Sequence, residues 1–200
     1  MKLVFATNNQ NKLKEITHLL GDSFKLVSLK DLQISDDIPE DYPTLEENAL
    51  FKARYINKLT GMNVFADDTG LEIEALDGRP GVHSARFAGQ GKDFEANIDK
   101  VLLLLNRMEN RSAAFRTIIA LLLEDEEYLF EGKVTGTILN ERRGNNGFGY
   151  DPIFLPDGMD LTFAEISLEE KNRLSHRAEA FKKLKMFLSQ FNGSDNNRAV

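Results

Sequence analysis

Cysteine is absent from the 200 residues, which removes disulfides, thiolate metal sites and cysteine nucleophiles together. Histidine is scarce, and His18, His83 and His176 are too few for an all-imidazole zinc centre with residues to spare. An excess of positive charge is missing too: 25 basic against 32 acidic residues leave a formal net charge of −7. No global basic field therefore exists to gather a nucleic-acid polymer or an anionic membrane. The opening apolar stretch, Met1 to Ala6, is too short for a signal-peptide core, and no later run approaches the ~20 apolar residues of a membrane span. A soluble, cytoplasmic protein is expected.

What is present is enough for one sizeable domain, or two small lobes sharing a core, because 42% of the residues are hydrophobic. Leu3 to Ala6 reads as a short strand, Thr7 to Asn9 as a polar loop, and Leu13, Ile16, Leu19 and Leu20 as a helical face. A second strand is expected over Phe24 to Leu29. Between Asp31 and Asn48 lie seven acids (Asp31, Asp36, Asp37, Glu40, Asp41, Glu46, Glu47) and no base. Thr44 and Glu47 have capping-box spacing, and Leu45, Ala49, Ala53 and Ile56 follow on one helical face. Asn63 to Ala66 reads as a strand that ends at Asp67-Asp68-Thr69-Gly70, with alternation resuming over Leu71 to Ala75. Phe94, Ile98, Val101, Leu102 and Leu105 mark a helix from Asp93 to Asn106. Ala113 to Leu123 and Tyr128 to Leu139, joined by an acidic turn, predict a long antiparallel hairpin. Gly144 to Pro152 is a shaped glycine-rich loop, Ser175 to Phe191 a final helix, and 192–200 a fraying tail.

Four constellations carry chemistry. Thr7-Asn8-Asn9-Gln10-Asn11-Lys12 sits between strand and helix, where backbone N–H groups and the helix dipole favour a phosphate, although an ordinary Asn-rich cap has the same look. Asp67 and Asp68 offer hard oxygens suited to Mg²⁺, with Glu40 as a second carboxylate, and alternation puts the two aspartates on opposite faces unless the chain turns. A solvated turn is the plainer alternative. Lys171 to Lys185 holds six Lys and Arg residues, with Ser175 capping a helix and a positive pair, His176 and Arg177, in its first turn, although a basic, exposed helix has the same look. In Phe148-Gly149-Tyr150-Asp151 an aromatic flanked by glycines offers a ring face and Asp151 an acceptor, unless Phe148 simply fills the core. Together these are the parts a nucleoside triphosphate requires.

These motifs, with Glu46 to Ala49, Lys52 to Arg54, Gly81 to Arg86 and Pro152 to Phe154, resemble the family of non-canonical purine nucleoside triphosphate pyrophosphatases, also called inosine triphosphate pyrophosphatases or XTP/dITP diphosphatases. The resemblance runs from about Lys2 to Leu188. It implies one α/β pyrophosphatase domain over residues 1–200, with an elongated mixed β-sheet, flanking helices and two lobes around a central cleft, assembled as a homodimer. It also implies Mg²⁺-dependent hydrolysis of ITP, dITP and XTP to the monophosphate and pyrophosphate, which sanitises the nucleotide pool.

By position, the resemblance gives Thr7, Asn8, Asn9, Gln10, Asn11 and Lys12 the phosphates. Asp68 becomes general base and metal ligand with Glu40 as its metal partner, and Thr69 contacts substrate. Phe148, Gly149, Tyr150 and Asp151 embrace the base, while Lys171, His176 and Arg177 complete the phosphate and purine contacts. Asn8 and Asn146 stand where the family commonly has glycine, which raises the question of positive φ at both. Two other readings share the parts: a Maf-like nucleotide pyrophosphatase, which does not predict Ser175-His176-Arg177, and a nucleotide-sensing module without turnover.

Overall fold

The computed structural model describes residues 2–20, 24–35 and 38–195, so Asp36, Asp37 and residues 196–200 of the expected tail lie outside the described residues. Among the described residues, five α-helices and seven strands are arranged in the order β1 (Lys2–Phe5), α1 (Gln10–Leu20), β2 (Lys25–Ser28), α2 (Leu45–Thr60), β3 (Val64–Ile73), β4 (Pro80–Gly81), α3 (Phe94–Leu104), β5 (Ser112–Leu123), β6 (Glu126–Ile138), β7 (Phe154–Pro156), α4 (Leu168–Leu174) and α5 (His176–Asp195). The strands form one mixed sheet in the order β2-β1-β3-β5-β6-β7, with β4 on β3. β1 runs parallel to β2 and β3, and the remaining pairs are antiparallel.

The period-two pattern decides what each face of the sheet carries. Leu3, Phe5, Phe65, Ile119 and Leu121 pack against Ile16 of α1 and Phe181, Leu184 and Leu188 of α5. Their neighbours Val4, Val64, Ala66, Ile118 and Ala120 pack on the opposite face against Ala49, Ala53 and Ile56 of α2. Further along the same strands, Leu71, Ile73, Ala113 and Phe115 join Ile98 and Val101 of α3 in a third cluster with Ile138, Phe154 and Phe163. Asp67, Asp68 and Thr69 therefore sit in β3 between the cluster of α3 and the two clusters that sandwich the other end of the sheet.

The Asp67-Asp68-Thr69-Gly70 string does not end a strand: β3 continues through it, pairing Asp67 with Ile119, Asp68 with Ile118 and Gly70 with Arg116 of β5. The string has turn composition, but the sheet ladder satisfies its backbone and Lys12, Lys52 and Arg177 pair with its carboxylates, so nothing forces the chain to turn. The β5–β6 hairpin matches the expectation, closed by Glu124 and Asp125, both at positive φ.

Gly132 in β6 shows how α5 is seated. A Cβ there would fall on the carbonyl oxygen of His176 and within 2.5 Å of the Ala180 nitrogen, so the helix start rests directly on strand backbone. Gly132→Ala should therefore cost about 1–3 kcal/mol, the usual range for overpacking. Urea unfolding measures it, and an unchanged midpoint would mean that α5 slides freely on β6.

Candidate active site

Elements from both ends of the sheet converge on a cleft of ≈ 370 Å³. Its wall is β3, and the strand's alternation separates the two aspartates. Asp67 points toward α1 and α5, where Lys12 Nζ lies 3.1 Å and Arg177 Nε 3.2 Å from its Oδ2. Asp68 points toward α2, with Lys52 Nζ 3.4 Å from its Oδ1. Asp68 lines the cleft, and its Oδ2 is buried without a hydrogen-bond partner among the described residues, as is Oδ1 of Asp67.

The two carboxyls are driven in opposite directions. Burial raises Asp67, but Lys12, Arg177 and Lys52 override it and hold the group at about 2. Burial also raises Asp68; here Glu40 and Asp67 add to the effect and Lys52 and Lys12 only partly offset it, so the group ends above its ordinary value. Asp67 is thus held ionised by Lys12 and Arg177, whereas Asp68 is the more basic carboxylate and the one that lines the cleft.

Glu40 faces Asp68 across Lys52, whose ammonium lies 2.6 Å from Glu40 Oε1, and Arg86 Nη2 takes the other oxygen at 3.1 Å. Burial opposes ionisation of Glu40, but Lys52 and Lys12 prevail and hold it at about 2. Burial by itself lowers Lys52, yet Asp68 and Glu40 raise it above the usual lysine value. Of the other acids in the stretch, Glu46 is bonded to Arg116, Asp31 to Ser28, and Glu47 caps α2 with Thr44.

The phosphate loop reads differently in detail. Asn9 is the cap of α1: its Oδ1 accepts from the N–H groups of Asn11 at 2.9 Å and Lys12 at 3.3 Å, so those donors are engaged rather than waiting for an anion. Thr7, Asn8, Asn9 and Lys12 line the cleft, but Gln10 and Asn11 do not. Asn8 and Asn146 are absent from the positive-φ residues, so neither position needs the freedom of glycine. Asn146 instead ties its loop down, its N–H to Ala164 O and its Nδ2 to Ile166 O.

The base-sized end of the cleft carries Phe148, which belongs to no core cluster and stands 4.9 Å from Lys171 Nζ, measured to the ring centroid. Asp151 lies beneath it, accepting from Phe148 N at 2.8 Å and Lys171 Nζ at 2.5 Å. Gly147 makes this possible, since it has φ +73 and a Cβ there would occupy the place of the Asp151 carboxylate. Tyr150 is buried, with its hydroxyl donating to Ser84 O. Asp151 and Tyr150 thus shape the loop.

Ser175 does cap α5, accepting from Ala178 N at 3.2 Å, but the residues after it are not a pair of cations. His176 is buried, stacked on Phe115 at 4.6 Å, and desolvation, aided by Arg177 and Lys171, keeps it well below the ordinary imidazole value. It is neutral, and its Nδ1 has no partner among the described residues. Arg177 is the cation, clamped by Glu15, Asp67 and the Thr69 hydroxyl. Glu15 also accepts from Lys171 at 2.8 Å.

Lys52 and Ser84, which belong to motifs of the resemblance but carry no expected role, stand at the cleft, as do Lys92, outside every motif, and Glu15 behind it. Lys52 and Glu15 had a signal. Lys52 lies three residues after Ala49 and four before Ile56 on α2, and Glu15 four before Leu19 on α1, so helical periodicity turns both inward. Ser84 takes the Leu71 N–H at 2.8 Å and donates to Gly81 O, a local role with no periodic signature.

Among the described residues no group of three or more His, Cys, Asp or Glu side chains could hold a metal ion. Asp68 and Glu40 both line the cleft, and Oδ2 of Asp68 has no hydrogen-bond partner among the described residues. That donor set fits Mg²⁺, which takes one or two carboxylates and completes its shell with water and substrate phosphates. No helix among the described residues is long and apolar enough to cross a membrane.

A model of the Ham1 family matches residues 3–187 of the chain. The sequence is 51% identical over 188 residues to the "dITP/XTP pyrophosphatase" of Porphyromonas gingivalis, covering 94% of this chain and 97% of that one. It is 50% identical over 190 residues to the protein of the same name from Christiangramia forsetii, covering 95% and 100%. Among solved structures, a HAM1 protein from Coxiella burnetii superposes with TM-score 0.88 at 39% identity, over 95% of this chain and 99% of that one.

Proposed function

The chain belongs to the Ham1 family, and from that premise we propose that it is a pyrophosphatase of ITP, dITP and XTP, releasing pyrophosphate and the purine monophosphate. The observation that carries the reading is Asp68, a basic carboxylate with an unpartnered oxygen, on the wall of a cleft that also presents Lys12, Lys52 and an aromatic ring.

In this reading the triphosphate lies toward Lys12 and Lys52, whose ammonium groups offset charge building on the pyrophosphate leaving group. Asp68 accepts the proton of a water aimed at the α-phosphorus, which needs a carboxylate more basic than its neighbours on the wall of the cleft. Asp68 and Glu40 would hold Mg²⁺, which when bound supplies charge neutralisation at the phosphate oxygens. The purine lies against Phe148, with His176 and Arg177 at the deep end. A 6-keto oxygen can accept from Arg177 N–H groups left over from Glu15, Asp67 and Thr69, whereas the amino group of adenine would oppose donor to donor and leave them unpaired. The reading extends to a cytoplasmic homodimer with two lobes about the cleft, as the sequence resemblance implies.

The test is a product assay with ITP, XTP, GTP and ATP in parallel, scoring pyrophosphate separately from orthophosphate, with and without chelator. Pyrophosphate from ITP and XTP, at least about 10²-fold less from ATP as expected for a site with committed donors, and loss of turnover with EDTA that Mg²⁺ restores are the expected results. Orthophosphate as first product, or equal turnover of ATP, would overturn the reading.

A further inference from the structure

Phe94 has the spacing of a core residue of α3, yet it does not behave as one. It is 36% exposed, while Ile98 and Val101 on the same helix are fully buried. As the first residue of α3, directly after the Asp93 cap, it projects beyond the third cluster and lines the cleft. Its ring lies 6.1 Å from that of Phe148, centroid to centroid, at an interplanar angle of 47°. The cations over Phe148, Lys171 and Arg177, are only 3% and 2% exposed. The buried neighbours of Phe148 therefore belong to the floor of the cleft, and Phe94 is its neighbour toward solvent.

The first turns of α3 are fastened to the segment that leads into the Phe148 loop. Arg142 reaches back to Glu95 Oε2 at 3.0 Å and Asp99 Oδ1 at 2.8 Å. All three side chains are well exposed, so these pairs fix orientation more than they stabilise the fold. Asn97 holds the other side, accepting from Ala88 N at 2.6 Å and donating to Ala85 O at 3.0 Å. A partly exposed aromatic held from both sides beside a stacking platform is arranged to meet a flat ligand.

We infer that Phe94 is a positioning residue for the nucleobase, closing the outer edge of the aromatic platform begun by Phe148. The inference rests on the purine nucleotide reading of the cleft. It places Phe94 on the base end alone, away from Lys12, Lys52 and Asp68, so removing its ring should weaken purine binding and leave phosphate binding intact.

Equilibrium titrations of the intact protein with IMP and with pyrophosphate, for wild type, Phe94→Ala and Phe94→Tyr, together with steady-state ITP hydrolysis, test this. Phe94→Ala should weaken IMP binding and raise KM for ITP by about five- to tenfold, the size expected for one aromatic contact. Its pyrophosphate affinity and kcat should stay within twofold, and Phe94→Tyr should restore IMP binding. Unchanged IMP affinity in Phe94→Ala, or equal losses for IMP and pyrophosphate, would overturn the inference while ITP turnover by the wild type stood. A wild type that bound no purine nucleotide would overturn the functional reading and the inference with it.

Discussion

Asp68→Asn should lower kcat for ITP by about 10²- to 10⁴-fold, the range a positioned general base supplies, while nucleotide affinity stays within about tenfold. The substitution keeps the shape of the side chain and its place opposite Ile118 in the sheet. It removes the basic oxygen pair and the charge that Lys52 sees at 3.4 Å. Asp67→Asn is the informative contrast. Asp67 faces the other side of β3, is held at about 2 by Lys12 and Arg177 after burial has been overcome, and is not part of the cleft lining. Its loss should raise KM and reduce stability through the released cations, with a smaller effect on kcat. Single-turnover kinetics with ITP separate the two effects. Equal kcat losses in both variants would mean that the chemistry does not distinguish the faces of the strand, and the assignment of Asp68 as base would fall. A protein that binds ITP but has no turnover to lose would instead be a nucleotide sensor.

Most of the sheet was legible because its strands alternate and its helices repeat at 3.6 residues, patterns set by which side faces a core. Where reading failed, a partner distant in sequence had replaced the local signal. Asp67-Asp68-Thr69-Gly70 has turn composition, but Lys12, Lys52 and Arg177 bind its carboxylates and the string stays in β3. α4 was not foreseen since it carries little apolar periodicity; Leu168 and Leu174 are exposed. Its start was nonetheless written in Ser167 and Glu170, which form a complete capping box. Most of the site residues in the four motifs converge, because each motif lies in or next to β3, at the start of α1 or α5, or in the loop after β6. Gln10 and Asn11 fall outside, as the first turn of a helix points only some of its side chains at any one place. Charge pairing was the part hidden from view: His176 reads as half of a cationic pair until burial against Phe115 shows it to be neutral.

The hidden pairing also predicts the largest loss of stability. Behind the cleft, three cations (Lys12, Lys171, Arg177) meet three carboxylates (Glu15, Asp67, Asp151) in one connected set of ion pairs. Glu15 joins its two halves, since it alone touches both Lys171 and Arg177, and its side chain is 4% exposed. Glu15→Gln preserves volume but leaves the set one positive charge in excess, in a place where water cannot screen it. Removing one partner of a buried pair costs about 3–5 kcal/mol, and that is the expected loss in urea unfolding at pH 7. The pH dependence supplies an independent check. Burial raises the Glu15 carboxyl, but Arg177 and Lys171 together outweigh it and bring the group below its ordinary 4.5. A carboxylate depressed in the folded state stabilises above its unfolded pKa, and that contribution disappears as pH falls through the folded value. The stability gap between wild type and Glu15→Gln should therefore be full at pH 7 and narrow as pH drops below about 4.5. A gap below about 1 kcal/mol at pH 7, the size of an exposed surface pair, or one that stays constant to pH 3, would mean that Arg177 and Lys171 do not depend on the Glu15 charge. Arg177 would then be held at the cleft by Asp67 and Thr69 alone, and purine recognition would survive the loss of Glu15.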